Sequence, residues 1–359
     1  MKKWTALLLG LTASAVLIAC GTAKAPEKTD EPAKKAETPK DDTEYITAAD
    51  GSQVAKPEKF PKGPITILVG STAGGGTDIM SRALAEPMSE LLGVAVNIVN
   101  REGASGTIAA DECAKAKPDG YTIITGMPAP WYIKPHLSDL TYDPFKDFRN
   151  ISVISPDEPL VIVVPADSEI ESFEQVVQMM KDGDKVVWGT SNPGSVGNCG
   201  LSDLFIKMDI YGKFEMVPFA GAADALTSLI GGHITISTAD LAEAAPRVSN
   251  GTLKALAVFG NERCEALPDV PCLKELGFED TDWVIAFKWV SVPAETPDDI
   301  VDYLKAVIDT AVMSDSYKEF IKTQNGLDTY TMSEADLDKK LKECYDAYDK
   351  VLTATGQHK

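Results

Sequence analysis

The sequence predicts an α/β protein whose body folds as two lobes around a cleft. Three observations carry that prediction. Short β-branched runs alternate with longer amphipathic ones from residue 65 onward, the alternation is long enough for two cores, and a glycine-rich turn stands between strand and helix in each half. In the first half, "ITILV" (65 to 69) reads as a strand, 77 to 93 as a helix closed by Gly93, 94 to 99 as a strand, 106 to 117 as a helix and 121 to 126 as a strand. Such alternation implies parallel strands with right-handed crossovers in an open sheet. The second half repeats the pattern with strands at 160 to 165, 186 to 191, 213 to 219, 234 to 240 and 253 to 260, and helices at 172 to 183, about 200 to 208, and 222 to 232. A strand-like run (286 to 293) and two amphipathic helices (297 to 313, 333 to 355) then return to the first lobe. The expected division is 58–160 plus 285–359 for lobe 1 and 161–284 for lobe 2.

Ahead of the body, Lys2 and Lys3 precede an apolar stretch, Trp4 to Ile18, too short and wrongly flanked to span a bilayer, so residues 1–19 read as a secretory signal. The signal ends "LIACG", with Ala19 and Gly21 flanking Cys20, and resembles the lipobox at which bacterial lipoproteins are lipidated and cleaved. Residues 20–57 are rich in Lys, Glu, Asp, Thr, Ala and Pro and nearly empty of large apolar groups, the composition of a disordered tether. The expected location is extracytoplasmic, on the outer face of the cell membrane, held through a lipid on Cys20.

The formal charge is −20, and loss of Lys2 and Lys3 takes it to −22. An acidic body argues against nucleic acid or anionic lipid as a partner, so attraction for any anionic ligand must be local. Besides Cys20 there are Cys113, Cys199, Cys264, Cys272 and Cys344. Either Cys264 and Cys272 bridge the loop "EALPDVP" between them, or all five are reduced and buried. No spacing suggests zinc, and no cofactor is expected.

In an open α/β sheet, ligands sit at the carboxyl ends of the strands, where helix N-termini attract anions. "GSTAGGGTD" (70 to 78) occupies that position. It matches neither the dinucleotide pattern nor the phosphate loop, which needs a lysine after its glycines, and no GxSxG elbow is present. The three histidines, His136, His233 and His358, read as surface residues, none placed to serve a nucleophilic serine. A second turn, "GTSNPGSVGNCG" (189 to 200), stands in the same relation to its strand and helix. Two turns of hydroxyls, amides and backbone N–H groups, one per lobe, describe a clamp that binds rather than turns over; no catalytic residue is expected.

Five segments in order carry a resemblance: "PKGPITILVGSTAGGGTDIMSRALAEPMSELLG", "IVNREGASGTIAADECAKAKPDGYTIITG", "TYDPFKDFRNISVI", "VPFAGAADALTSLIGGHITISTADLAEAAPRVSNGTLKALAVFGNERCEALPDVPCLKELGF" and "VSVPAETPDDIVDYL". Together, over about residues 58 to 355, they resemble the extracytoplasmic substrate-binding receptors of tripartite tricarboxylate transporters, the TctC or Bug type. The resemblance implies a two-lobe, periplasmic-binding-protein-like (type II) fold, capture of a small carboxylate (a di- or tricarboxylate, an acidic amino acid or an aromatic acid), and delivery to a permease of one large and one small membrane subunit. It implies binding residues Ser71, Thr72, Ala73, Gly75, Gly76, Thr77 and Asp78 in the first turn. In the second turn it implies Thr190, Ser191, Gly194, Ser195 and Asn198, with Phe219, Gly221 and Ala222 in a third loop. Asp240 matches a position facing the ligand's far end, where it either meets an amino group or forms pocket wall. Ser71 replaces an aromatic residue common in the family. Trp131, in a divergent segment (126 to 137), either lines the pocket or packs on the lobe, and Cys272 stands where threonine is usual. A sensor presenting the same bound carboxylate to a signalling partner is the alternative reading.

Overall fold

In the computed structural model the described residues are 44–191, 194–219 and 221–359. The expected signal, Cys20 and the first part of the tether lie outside them. The last part of the expected tether is ordered: strands β1 (Tyr45–Thr47) and β2 (Gln53–Ala55) form an antiparallel hairpin. Ile46 and Val54 pack against the lobe 1 core, and Lys56 pairs with Glu44 at 2.6 Å. Two apolar side chains two residues from a turn suffice here because a preformed core receives them.

Lobe 1 continues with β3 (Ile65–Val69), α1 (Gly76–Leu92), β4 (Val96–Asn100), α2 (Thr107–Ala114), β5 (Thr122–Gly126), a π-helical turn (Ala129–Ile133), α3 (Lys134–Leu137) and β6 (Phe148–Val153). The chain then crosses into β7 (Glu158–Pro165), α4 (Phe173–Asp182), β8 (Val187–Thr190), α5 (Val196–Lys207), β9 (Glu215–Pro218), α6 (Ala222–Ile230), β10 (Ile236–Asp240), α7 (Leu241–Ser249) and β11 (Leu253–Val258). It returns through β12 (Ile285–Ala286) and β13 (Trp289–Pro293) to α8 (Asp298–Val312), α9 (Asp315–Asn325) and α10 (Glu334–Ala354).

Both sheets follow one plan. In the first, ordered β4-β3-β5-β13-β6, β3 runs parallel to β4 and β5, while β13 runs antiparallel to β5 and β6. In the second, ordered β11-β7-β10-β8-β9, β8 runs parallel to β9 and β10, while β7 runs antiparallel to β10 and β11. The parallel character expected from alternation therefore holds for three strands of each sheet. The antiparallel ones arise because β7 and β13 enter each sheet from the opposite lobe.

Local chemistry explains the elements. "ITILV" is apolar on both faces because α1 covers one side of β3 and α2 the other, as a buried parallel strand requires. On α1, Met80, Leu84, Met88 and Leu92 repeat at a helical interval and are buried. Helix α5 begins four residues before the expected start, since the Ser195 hydroxyl accepts from the Asn198 N–H and caps a glycine-containing first turn that propensity disfavours. Among the described side chains of helix α9 only Tyr317 and Ile321 are fully buried, too few for a periodic signal. No helix among the described residues is long and apolar enough to cross a membrane.

Two open alternatives close here. Trp131 is fully buried, its ring 4.8 Å from Phe148 and 5.3 Å from Trp289 between ring centroids, so it packs in lobe 1 and is not a pocket residue. Cys264 and Cys272 are free, buried thiols, and the Cys272 thiol is directed at Glu275 Oε1, 3.5 Å away; of the two readings, the reduced one matches this structure.

Candidate ligand-binding site

The site is built by two turns with the same internal fastening. After β3, Gly74 takes φ +82°, and its N–H donates to Asp78 Oδ2 at 2.8 Å. After β8, Gly194 takes φ +78°, and its N–H donates to Asn198 Oδ1 at 3.0 Å. In each turn a glycine in the left-handed region is fastened by the side chain four residues on, and β3 and β8 hold equivalent places in their sheets. The side chain four residues on is already inside the helix, so helix formation fixes the turn.

That fastening corrects the roles expected of Asp78 and Asn198. Both are buried, and their oxygens face the protein. Asp78 also accepts from Arg82 Nε at 2.9 Å and Asn100 Nδ2 at 3.0 Å, and Asn100 Nδ2 in turn donates to the Ser71 carbonyl at 2.9 Å. The Arg82 guanidinium, helped by the Gly74 and Asn100 N–H donors against burial, holds the Asp78 carboxyl down to about 2. Arg82 also balances the negative charge at the start of α1, where an anionic ligand would otherwise meet a carboxylate. Helix α1 has no side-chain cap, leaving the N–H groups of its first turn open to a ligand.

Between the lobes lies a cavity of about 270 Å³. Of the expected residues, Thr77, Ser191, Ser195, Ala222 and Asp240 line it. Thr72, Ala73, Gly75 and Gly76 form the first turn, and Gly221 precedes α6 at its N-cap position. Thr190 and Ser71 place buried hydroxyls that have no protein partner. Phe219 packs beside Gly189 instead of lining the cavity. At Gly194 a β-carbon would stand 2.8 Å from Leu137 Cδ1, so glycine there also lets the lobe 2 turn approach α3.

Sequence reasoning missed Met127, Leu160, Gly197, Thr238 and Lys288, all of which line the cavity. Lys288 had a readable signal, as the one charge in the run "AFKWVSVP". It sits where the lobes join: Ile154 N–H donates to the Lys288 carbonyl at 2.9 Å, and Lys288 N–H donates to Ser155 Oγ at 2.7 Å. Near it are two carboxyl groups, Asp240 on the cavity and Glu158, which accepts from the Ala242 N–H at 2.7 Å. Burial pushes both upward; the charge of Asp240 pushes Glu158 further, and Lys288 opposes the rise in each. The cavity wall therefore combines the hydroxyls of Thr77, Ser191, Ser195 and Thr238 with Lys288 and the half-buried Asp240, and Glu158 is buried close by.

The family model of the tripartite tricarboxylate transporter family receptor matches residues 80–356. A UPF0065 protein encoded in the TAR-I ttuE-ttuC' intergenic region of Agrobacterium vitis is 30% identical over 308 residues, 84% of this chain and 86% of that one. A TctC solute binding protein from Polaromonas superposes with TM-score 0.71 at 28% identity, covering 82% of this chain and 99% of that one. A protein of R. palustris solved with adipate gives TM-score 0.70 at 26% identity, covering 83% and 98%. The family model and the Polaromonas structure are of solute-binding receptors, not enzymes, and the solved structures carry the two-lobe fold.

Proposed function

The chain belongs to the tripartite tricarboxylate transporter receptor family, and from that premise we propose that it captures a small carboxylate in the interlobe cavity and delivers it to a two-component membrane permease. The observation that carries the reading is the pair of matched turns, each fastened through a glycine N–H and each presenting a helix start toward one cavity. One carboxylate of the ligand is held by the open N–H groups at the start of α1, with the hydroxyls of Thr77, Ser191 and Ser195. The unpartnered hydroxyls of Ser71 and Thr190, buried in the two turns and off the cavity wall, are suited to an internal bridging water. The ligand's far end meets Lys288 and Asp240, which suits a second carboxylate on Lys288 or an amino group on Asp240. A cavity of about 270 Å³ fits a molecule of few carbons. Closure would bend the chain where Ile154 and Ser155 pair with Lys288. A lipid on Cys20 would keep the receptor beside the permease.

The test is a thermal-shift screen of the purified body against di- and tricarboxylates, aromatic acids, acidic amino acids and neutral sugars. A true ligand at about 100 times its Kd adds about 2.7 kcal/mol, a rise in Tm of about 5 °C. Stabilisation by neutral sugars and by no carboxylate would sink the reading.

A further inference from the structure

Outside the cavity, two of the chain's three histidines converge on one aspartate. His136 on α3, Asp349 on α10 and His358 in the C-terminal segment bring one ligand atom each within 4.8 Å of one another. His136 Nδ1 lies 3.3 Å from Asp349 Oδ1, and His358 Nε2 lies 3.0 Å from the same oxygen. Contrary to the surface placement expected from sequence, the His136 side chain is only 2% exposed.

The other nitrogen of each ring is already committed. His136 Nε2 faces the Tyr345 carbonyl at 3.1 Å, and His358 Nδ1 faces the Lys359 main-chain oxygen at 2.9 Å. An oxygen of that kind only accepts, so in both rings this nitrogen carries the hydrogen. The remaining nitrogen of each ring points at the same Asp349 oxygen, so the three ligand atoms converge. A proton on a ring makes the contact an ion pair, and a metal cation engages all three groups at once. A ring N–H held by a main-chain carbonyl is also how metal-bound histidines are commonly oriented.

We propose that His136, Asp349 and His358 form a binding site for one divalent cation of the Zn²⁺ type. Two imidazoles and one carboxylate favour Zn²⁺, Ni²⁺ or Cu²⁺ over Mg²⁺ and Ca²⁺, which take oxygen ligands. Bonds of about 2.0–2.1 Å to a tetrahedral ion set ligand atoms about 3.3 Å apart, close to the separations from Asp349. A small turn of His358, 32% exposed, completes the geometry, and water takes the fourth position. The ion ties α10 and the C-terminal segment to α3. Ile133 and Leu137, near His136 in the chain, lie so close to Gly194 that a β-carbon there would meet both, so the ion braces the wall that faces the lobe 2 turn.

The test uses the untagged chain, stripped with chelator and titrated with Zn²⁺ at pH 7.5 by calorimetry. One ion per chain is expected, with a higher Tm when loaded. His136 is buried and its replacement risks the fold, so the decisive variants are His358→Ala and Asp349→Asn. Each should weaken uptake at least tenfold and abolish the Tm rise while leaving the circular dichroism of the metal-free chain unchanged; His233→Ala should bind as the parent does. Co²⁺ in place of Zn²⁺ should give the visible absorption of a low-coordinate N/O site, lost in His358→Ala. Absence of saturable one-to-one uptake, or uptake unaffected by both decisive variants, would overturn the assignment.

Discussion

Replacing Asp78 by asparagine isolates the charge that fastens the first turn. The side chain is 2% exposed, and its pKa falls from 3.8 to about 2, led by the Arg82 hydrogen bond. At 1.36 kcal/mol per unit, the shift corresponds to about 2 kcal/mol of stability at pH 7. Arg82 is half exposed and solvent screens it, so this is an upper figure. A folded-state pKa lowered below the unfolded one gives stability that is present above pH 3.8 and lost as pH falls through about 2. The asparagine side chain has no such titration. The gap between parent and Asp78→Asn should therefore be at most about 2 kcal/mol at pH 7 and should narrow by up to about 1 kcal/mol at pH 3. Urea unfolding at a series of pH values, with m-values compared, measures it. A gap that stays level from pH 7 to pH 3 would refute the claim that the ionised carboxylate fastens the turn, leaving only side-chain shape as the cause.

Two other outcomes follow from the same geometry. Gly197→Ala improves helix propensity in α5 yet should cost about 1–3 kcal/mol in urea unfolding, because the new β-carbon would stand 2.0 Å from Thr238 Oγ1; a stability gain would show that the α5–β10 contact yields freely. Asp240→Asn should match or exceed the parent at pH 8 and lose that advantage near pH 4: the Asp240 carboxyl is raised from 3.8, so its penalty grows as pH rises above that value. Urea midpoints at both pH values report it, and a parent more stable throughout would mean that Lys288 outweighs burial.

The amino-acid order alone determined that the body is α/β, that the turns at 70–78 and 189–200 each stand between a strand and a helix, and that five separated segments resemble one receptor family. Those properties are local, set by periodicity, glycine and hydroxyl content over short windows, and so can be read from the chain without its fold. The strand–helix run from β3 to β5 is legible for that reason. Helix α5 is legible less fully, its start expected later than Ser195 places it.

Only the tertiary structure decided what the named side chains face. Asp78 and Asn198 belong to residue types suited to a ligand, yet each turns back to a glycine N–H, because a buried turn must satisfy its own donors before it can offer any. Trp131 reads equally well as pocket or core until β13 places Trp289 against it. Lys288 becomes a cavity residue only because two strands distant in sequence cross at Ile154 and Ser155. His136, Asp349 and His358 meet because α10 packs back on lobe 1 and carries the last residues past α3. Contacts between distant segments depend on which surfaces pack, and local pattern carries no record of that.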